Sequence, residues 1–259
     1  MEKNKIDIAV IITAHREGRL AHHSINSIFR AIDYANIYDI STEVIVVLDR
    51  PDKLTAEYFS RYKNSEILIE QTDFGDPGLS RNHGVICSSG KYVAFLDADD
   101  LFGKTWLKAA YEQAQKTDEY KVFHPEYVVC FGQENYLVKN KSMNDSDFSL
   151  GNMLEYNCWN SVHFIAERVI LLENPFIKTP NDSGFGYEDW HWNCEIIAKG
   201  IHITVVPETC VFYRKKPEGS RLNRHDQNKV LIPPTKLFHP GLFSKMLKEE
   251  KMSKQNKKG

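Results

Sequence analysis

Three carboxylates stand close together where a strongly apolar segment ends. Residues 92–96 are rich in β-branched and aromatic side chains, which is typical of a buried strand, and Asp97, Asp99 and Asp100 follow directly. Carboxylates this close repel one another unless a cation lies between them. Hard oxygen ligands favour Mg²⁺ or Mn²⁺, metals that often also hold substrate phosphates. The pattern therefore predicts either a divalent-metal site or an Asp-rich turn that caps the next helix.

A second pair of acids, Glu188 and Asp189, opens a predicted helix after a glycine-containing loop. Acidic residues in a first helical turn stabilise the helix through its dipole by a few tenths of a kcal/mol. Tyr187, Trp190 and His191 stand beside these acids, and aromatic faces are well suited to stacking on a sugar ring. A carboxylate in that setting can have a raised pKa and act as a general base. The motif alone leaves both roles open.

Basic residues follow the last predicted strand. They are Arg214, Lys216, Arg221, Arg224 and His225. Arginine binds phosphate through two parallel N–H groups and lysine neutralises its charge, so this loop suits a diphosphate. The alternative is an ordinary solvated basic loop. Arg81, within the Gly-Leu-Ser-Arg-Asn-His-Gly segment at residues 78–84, is a similar candidate.

Alternating strands and helices must position these side chains. The pattern predicts strands at residues 6–13, 44–48, 66–70 and 91–97, and helices at residues 20–35, 53–62 and 79–87. This alternation indicates an α/β fold with a Rossmann-like, mostly parallel sheet flanked by helices. Right-handed crossovers would place Thr13, Asp49 and Asp97 at the same carboxyl edge of that sheet, where such folds bind ligands.

The second half of the chain predicts an antiparallel extension of the sheet. Strands are expected at residues 122–124, 127–131, 136–138 and 161–165, and on either side of Pro207 at 201–206 and 209–213. A helix is expected over residues 187–199, with Gly200 as its stop, and a further helix begins near Lys104. Residues 140–147 and 174–185 read as loops.

Composition limits the classes of protein that fit. The chain has 259 residues and a net charge of −2, which argues against a general nucleic-acid partner. Five scattered cysteines without a CxxC pair are typical of reduced core residues in a cytosolic protein. We expect no signal peptide, and no apolar stretch approaches the roughly 18–20 residues that span a bilayer. Any membrane contact would therefore be peripheral.

The last residues differ from the rest in composition. Lysines alternate with Leu237, Phe238, Leu242, Phe243, Met246 and Leu247. The pattern predicts one domain over residues 1–235 and a basic amphipathic tail over residues 236–259. Such a helix can lie on an anionic membrane surface, or it can pack on the domain and expose its lysines to solvent.

Five segments together match a known family in order and spacing. They are residues 13–17, Asp49, residues 78–84, residues 96–100 and the pair Glu188-Asp189. On these segments the chain resembles the family 2 glycosyltransferases of the GT-A fold, which are inverting transferases of nucleotide sugars. The resemblance covers about residues 6–221. It implies a nucleotide-binding half over about residues 1–103 and an acceptor-binding half over about residues 104–235.

The resemblance also implies roles for individual residues. The nucleotide sugar would be bound by Thr13, Glu17, Asp49, Arg81, Asp97, Arg214 and Lys216. The metal, Mn²⁺ or Mg²⁺, would be held by Asp99, Asp97 and His225. Asp189 would be the catalytic base with Glu188 beside it, and the acceptor would meet Tyr187, Trp190 and His191. The chain departs from the family at Lys216, where a histidine that can assist the metal is common.

The implied activity is the transfer of a sugar, most often from a UDP-sugar, to a hydroxyl of a surface glycan or lipid-linked saccharide. This chemistry belongs to polysaccharide biosynthesis for the cell envelope, and we expect a cytoplasmic protein, peripheral on the inner face of the cell membrane. Three alternatives remain open. A glycoside hydrolase also uses two carboxylates but needs no diphosphate loop. A nucleotidyltransferase of related fold attacks phosphorus, and a non-catalytic nucleotide-sugar-binding module would only bind.

Overall fold

The computed structural model describes residues 5–63, 65, 67–159, 162–179, 183–216 and 229–256. The strands are β1 (Ile8–Ala14), β2 (Thr42–Asp49), β3 (Ile67–Thr72), β4 (Tyr92–Asp97), β5 (Leu101–Phe102), β6 (Lys121–Gly132), β7 (Tyr136–Lys139), β8 (Ile165–Glu167) and β9 (His202–Lys215). The helices are α1 (Ala21–Asn36), α2 (Lys53–Ser60), α3 (Pro77–Cys87), α4 (Trp106–Ala114), α5 (Arg168–Glu173), α6 (Glu188–Ala198) and α7 (Pro240–Asn256). Short 3₁₀ helices occupy Gly18–Leu20 and Leu150–Leu154.

The described strands form one nine-stranded sheet in the order β3-β2-β1-β4-β8-β6-β9-β5, with β7 paired to β6. Strands β3, β2, β1 and β4 are parallel, whereas β8 runs antiparallel to both β4 and β6. The register pairs Thr13 with Asp97 and Asp49 with Thr72. The expected parallel sheet with an antiparallel extension is confirmed, and the predicted strand ends lie at one edge.

Each face of the sheet buries its own apolar layer because successive strand side chains point to opposite faces. In β1, Ile8 and Ile12 pack into one layer and Ile11 into the other. Helix α3 lies close against the second face. A Cβ atom at Gly84 would come within 2.4 Å of Ile11 Cγ2, so this approach requires glycine. The close packing fixes the position of α3, which carries Arg81.

Two pairs of predicted short strands are single long strands. Residues 122–124 and 127–131 both belong to β6, and the predicted strands around Pro207 both belong to β9. The register of the β6–β9 pairing shifts between Pro125 and Tyr127. Proline has no backbone N–H to donate, and a bulge at this point lets the two strands stay paired on either side of it. The prediction of two short strands in each place is therefore wrong.

Two boundaries are shifted by a few residues, and one short strand is absent from the sequence prediction. The strand expected at residues 161–165 is β8, Ile165–Glu167, because pairing with β4 begins at Ile165. Helix α4 begins at Trp106 rather than near Lys104. Strand β5 has only two residues and pairs with β9, so no sequence period could reveal it.

The tail contains helix α7, and its apolar side chains contact the domain. Leu237 is fully buried, and Phe243, Met246 and Leu247 pack against the second core layer. The carboxylate of Glu250 accepts a hydrogen bond from Leu150 N at 3.1 Å. These contacts favour packing on the domain over a membrane-bound apolar face. The domain boundary at residue 235 stays a prediction. Within the described ranges, no helix is both long and apolar enough to cross a bilayer.

Candidate active site

The acidic residues after β4 lie in a tight turn at the carboxyl edge of the sheet. Ala98 N donates to Thr13 O at 3.0 Å, and Asp100 N donates to Asp97 O at 3.0 Å. The first bond extends the β1–β4 ladder by one residue, and the second closes the turn. These two bonds fix the backbone of the turn, which carries Asp97, Asp99 and Asp100 close together.

A buried arginine joins this turn to the acids of helix α6. Arg81 Nη2 donates to Asp97 Oδ1 at 3.0 Å, and Arg81 Nη1 donates to Glu188 Oε1 at 3.0 Å. Thr13 Oγ1 donates to the same Asp97 oxygen at 2.7 Å. Burial by itself would raise the pKa of Asp97, but the charge of Arg81 and the Thr13 hydroxyl outweigh it and hold that pKa below its usual value. Arg81 Nη2 also donates to Asp97 Oδ2 at 3.2 Å, so Asp97 is an ionised acceptor held on both oxygens.

Asp99 faces a lysine instead. Lys216 Nζ lies 2.6 Å from Asp99 Oδ2 and 3.8 Å from Glu17 Oε1. Burial raises the pKa of Asp99 although the ammonium group opposes the shift. For Lys216, burial acts to lower the pKa, but Asp99 and Glu17 outweigh it and raise the value. The lysine thus remains a cation at the end of β9, beside the turn.

Asp100 is directed inward and helps to shape the turn. Arg214 N donates to Asp100 Oδ1 at 2.6 Å, and His163 Nε2 lies 3.0 Å from Asp100 Oδ2. Burial raises the pKa of Asp100 to about 7, against the opposing effect of His163. The Arg214 guanidinium lies over the Phe131 ring, and its Nε donates to Asp99 O. Arg214 therefore holds the turn against β9.

Asp189 is held by an amide network. Asn157 Nδ2 donates to Asp189 Oδ2 at 3.1 Å, and Asn193 Nδ2 donates to Asn157 Oδ1 at 3.0 Å. Trp190 N donates to the other oxygen of Asp189 at 2.8 Å. Burial and the neighbouring Glu188 raise the pKa of Asp189 to about 6. Near neutral pH this carboxylate is ionised and more basic than an ordinary aspartate.

Tyr213, on β9, connects the two groups of acids electrostatically. Burial, together with the charges of Asp100, Asp97, Asp99 and Asp189, raises the pKa of its phenol above the usual range. Arg81 joins the same two acidic groups directly, because it donates to Asp97 and to Glu188, the neighbour of Asp189. The structure thus brings together residues from the two halves of the chain.

Asp49 holds the loop that follows β3 through hydrogen bonds that the sequence did not indicate. Its Oδ1 accepts hydrogen bonds from Phe74 N at 2.7 Å and Gly75 N at 3.1 Å, and its Oδ2 accepts one from Asp76 N at 3.0 Å. The nearby Glu17 accepts a hydrogen bond from His15 N at 2.5 Å. Asp49 thus fixes the loop after β3 at the carboxyl edge, and its contact with a nucleotide stays a prediction.

The three predicted acceptor-binding residues have different surroundings. Tyr187 has a left-handed backbone (φ 58°), and its ring lies edge-on to Trp190 at 5.9 Å. Trp190 Nε1 donates to Met153 O. His191 is buried in a cavity that it shares with Glu195, Thr235 and His239, among others. His191 therefore lines this cavity, whereas Tyr187 and Trp190 flank Asp189 along the chain.

The residues around Asp99 can accept a divalent cation. Asp97 is occupied by Arg81 and Thr13, and His225 lies outside the described residues. Asp99 supplies hard carboxylate oxygens with Lys216 as their cationic partner. Mg²⁺ is commonly held by one or two carboxylates together with substrate phosphates, so this donor set fits Mg²⁺ or Mn²⁺. A bound cation would have to displace the lysine from Asp99.

Comparison with known proteins assigns the family. The model of glycosyl transferase family 2 matches residues 9–178, which include the acidic turn and Arg81. The chain belongs to this family. The prediction of a glycosyltransferase is thereby confirmed at the level of the family, and the family match stops before Glu188 and Asp189.

Curated relatives of this family 2 glycosyltransferase carry glycosyltransferase names. A UDP-Glc:α-D-GlcNAc-diphosphoundecaprenol β-1,3-glucosyltransferase, WfaP of Escherichia coli, is 23% identical over 209 residues, or 80% of this chain and 76% of WfaP. An uncharacterized glycosyltransferase of Haemophilus influenzae is 30% identical over 43% of this chain and 33% of its own length. Glycosyltransferase GlyG of Streptococcus pneumoniae is 24% identical over 43% of this chain and 36% of its own.

Solved structures confirm the GT-A fold. S. aureus TarS 1-349 in complex with UDP-GlcNAc superposes with a TM-score of 0.63 and 19% identity, over 84% of this chain and 61% of the TarS chain. The same TarS fragment in complex with UDP gives a TM-score of 0.60 at 20% identity, over 82% of this chain and 61% of TarS. This chain thus spans about three fifths of the TarS fragment.

Sequence reasoning missed three residues of the site. Asn157 orients Asp189, His163 lies against Asp100, and the Tyr213 ring lies edge-on to His163. Asn157 and His163 stand in segments without a recognisable motif. Tyr213 was visible only as part of a strand before the basic loop. Their roles depend on contacts between distant parts of the chain.

Proposed function

We propose that this protein is an inverting glycosyltransferase that moves a sugar from a UDP-sugar to a hydroxyl of a glycan or lipid-linked saccharide. The observation that carries the proposal is the bridge from Asp97 through the buried Arg81 to Glu188. It ties the acidic turn to the helix that bears Asp189. The donor-binding edge and the proposed base therefore share one rigid framework.

Two relatives support the choice of substrates. WfaP is named for transfer of glucose from UDP-Glc to a GlcNAc-diphosphoundecaprenol acceptor, and TarS 1-349 was solved with UDP-GlcNAc. By analogy we place this enzyme in glycan assembly on lipid-linked acceptors, acting at the inner face of the cell membrane. The acceptor would enter beside Tyr187 and Trp190, whose ring faces suit a saccharide.

Asp189 is the group that takes the proton of the attacking hydroxyl. Its raised pKa of about 6 lies near physiological pH, where a general base is most effective. Asn157 and the Trp190 amide fix the orientation of the carboxylate. A single attack on the anomeric carbon, opposite the departing diphosphate, inverts the configuration. The new C–O bond forms as the bond to the diphosphate oxygen breaks, and the proton goes to Asp189.

Lys216 is placed to neutralise the leaving group. It directly follows β9, beside Asp99, and its raised pKa keeps it charged. A divalent cation held by Asp99 would add positive charge that stabilises the departing diphosphate. Lys216 can contact phosphate as an ammonium donor once its contact with Asp99 is given up. Arg214 keeps the acidic turn in position through the Asp99 carbonyl.

The activity is tested by assaying UDP release with a panel of UDP-sugars and a short-lipid diphosphate-linked GlcNAc acceptor. We expect release that depends on the acceptor, and a product whose anomeric configuration, read by NMR, is opposite to that of the donor. Retention of configuration would overturn the mechanism. Hydrolysis without any transfer, across the whole acceptor panel, would overturn the proposed acceptor class.

The pH dependence of kcat/KM should have an acid limb near pH 6. Below that pH the Asp189 carboxylate becomes protonated and the rate falls about tenfold per pH unit, because only the ionised form accepts a proton. In Asn157→Ala the limb should move to higher pH, since the variant loses a hydrogen bond to the charged form. A limb near pH 7 that Asn157→Ala leaves unmoved would instead indicate Asp100.

Lys216→Gln should weaken UDP binding in the presence of chelator by about tenfold or more, because one charge-assisted contact is lost. The apparent affinity for Mn²⁺ should rise, since Asp99 loses its competing cation. Calorimetric titration measures both. The matched control is Lys215→Gln, because the ammonium group of Lys215 lies over the Tyr136 and Tyr213 rings and not beside Asp99. Equal behaviour of the two variants would contradict the role of Lys216.

A further inference from the structure

A second cluster of metal-binding side chains lies outside the proposed active site. We propose that Glu70, His83 and Cys87 form a binding site for a transition-metal ion, with Zn²⁺ as the cation that fits. His83 and Cys87 are four residues apart on α3, so their side chains share one face of the helix. Glu70 reaches them from the neighbouring edge strand β3. Arg81, on a different face of α3, makes the active-site contacts.

The distances match those between ligands of a tetrahedral zinc ion. His83 Nε2 lies 3.3 Å from Glu70 Oε2, and Cys87 Sγ lies 3.5 Å from His83 Nε2. The three ligand atoms all lie within 4.8 Å of one another. Zinc bonds of about 2.0–2.3 Å in tetrahedral geometry separate nitrogen from oxygen by about 3.3 Å and nitrogen from sulfur by about 3.6 Å. The His83–Glu70 and His83–Cys87 pairs are therefore already at coordination spacing, and the third pair is within 4.8 Å.

The chemistry of the donors selects the class of metal. One imidazole nitrogen, one thiolate sulfur and one carboxylate oxygen suit a borderline ion such as Zn²⁺ or Co²⁺ rather than Mg²⁺ or Mn²⁺. The acidic turn at Asp99 offers only oxygen ligands and therefore prefers Mg²⁺ or Mn²⁺. Within the part of the chain that the structure describes, Glu70, His83 and Cys87 form the one group of three such side chains at this spacing.

Access and surroundings are compatible with binding from solution. The side chains of His83 and Glu70 are 28% and 34% exposed, so an ion can enter without a change of fold. Three protein ligands leave a fourth tetrahedral position for water. The Phe74 ring lies edge-on to His83 at 5.9 Å and shields one side. A bound ion would join edge strand β3 to α3 and so stabilise the edge of the sheet that carries the Asp49 loop.

The experiment is a titration of the purified, reduced full-length chain with Co²⁺. We expect one equivalent to bind with a thiolate-to-cobalt charge-transfer band and intense visible bands of a tetrahedral site, both displaced by Zn²⁺. Cobalt at Asp99 would give no thiolate band, because its ligands there are oxygens. Cys87→Ser should abolish the charge-transfer band, and His83→Asn should weaken binding at least about tenfold.

The matched control is Cys210→Ser, which removes another partly buried thiol outside the cluster and should leave the band unchanged. Circular dichroism of each variant shows whether it is folded, and Glu70→Gln gives a third ligand variant that keeps the side-chain shape. Absence of a thiolate band in the wild-type chain would overturn the proposal. A band that persists in Cys87→Ser would overturn it equally. Nucleotide binding by the same samples reports on the active site separately.

Discussion

Asp189→Asn is expected to lower the turnover number by about 10²–10⁴-fold, the usual contribution of a general base. Asparagine keeps the shape of the side chain and can still meet Asn157, but it cannot take a proton from the acceptor hydroxyl. Binding of UDP should change little, because the ion pairs around Asp97 and Asp99 do not include Asp189. Acceptor-dependent release of UDP measures the rate, and calorimetry measures the binding.

The matched control for this variant is Glu195→Gln. Glu195 lies on the same helix, accepts a hydrogen bond from Lys236 N at 2.7 Å and borders the cavity of His191. The amide oxygen of glutamine can accept that bond, so the rate should stay near that of the wild type. If Asp189→Asn kept a rate within a few-fold of the wild type, Asp189 would not be the base.

Arg81→Met is expected to lower the free energy of unfolding by about 3–5 kcal/mol, the typical cost of removing one partner from a buried ion pair. The variant leaves Asp97 and Glu188 without their shared cation, and the Glu188 side chain is only 9% exposed. UDP binding should be lost as well, since the bridge positions the acidic turn. Urea unfolding and nucleotide titration measure the two effects.

A double variant distinguishes two effects of Arg81→Met: the cost of leaving the Glu188 carboxylate without its cation, and the loss of the packing of Arg81 on Phe176. Adding Glu188→Gln to Arg81→Met removes the uncompensated carboxylate and should recover about 0.5–3 kcal/mol, the usual coupling energy of contacting residues. Stability that does not recover would mean that Arg81 acts through its packing on Phe176 rather than through its charge. An Arg81→Met variant as stable as the wild type would contradict the proposed bridge.

The first half of the fold was predictable because its strands are continuous apolar runs between clear helix patterns. Runs such as residues 44–48 are buried on both faces, as is typical of a parallel sheet covered by helices. The second half was less predictable, because β6 and β9 each continue through a proline by means of a bulge. A bulge leaves no signal in residue spacing.

The site was predictable only as a set of strand ends and motifs. Thr13, Asp97 and Arg81 meet because topology brings their elements to one edge. The bond from Arg81 to Glu188 joins residues 107 positions apart, and no local pattern encodes such a contact. The same holds for Asn157 and Asp189. Motif order indicated the candidate residues, whereas their partners required coordinates.

Whether the acids around Arg81 form a donor site is tested most directly by calorimetric titration of UDP, GDP, dTDP and CDP. The titration is made in the presence of Mn²⁺ and, separately, of chelator. We expect that UDP binds best, that its affinity falls with chelator, and that Asp99→Ala abolishes the difference between the two conditions. Asp189→Asn should bind UDP like the wild type. If no nucleoside diphosphate bound with metal present, the acids around Arg81 would not be a donor site, and the proposed transferase mechanism would be wrong.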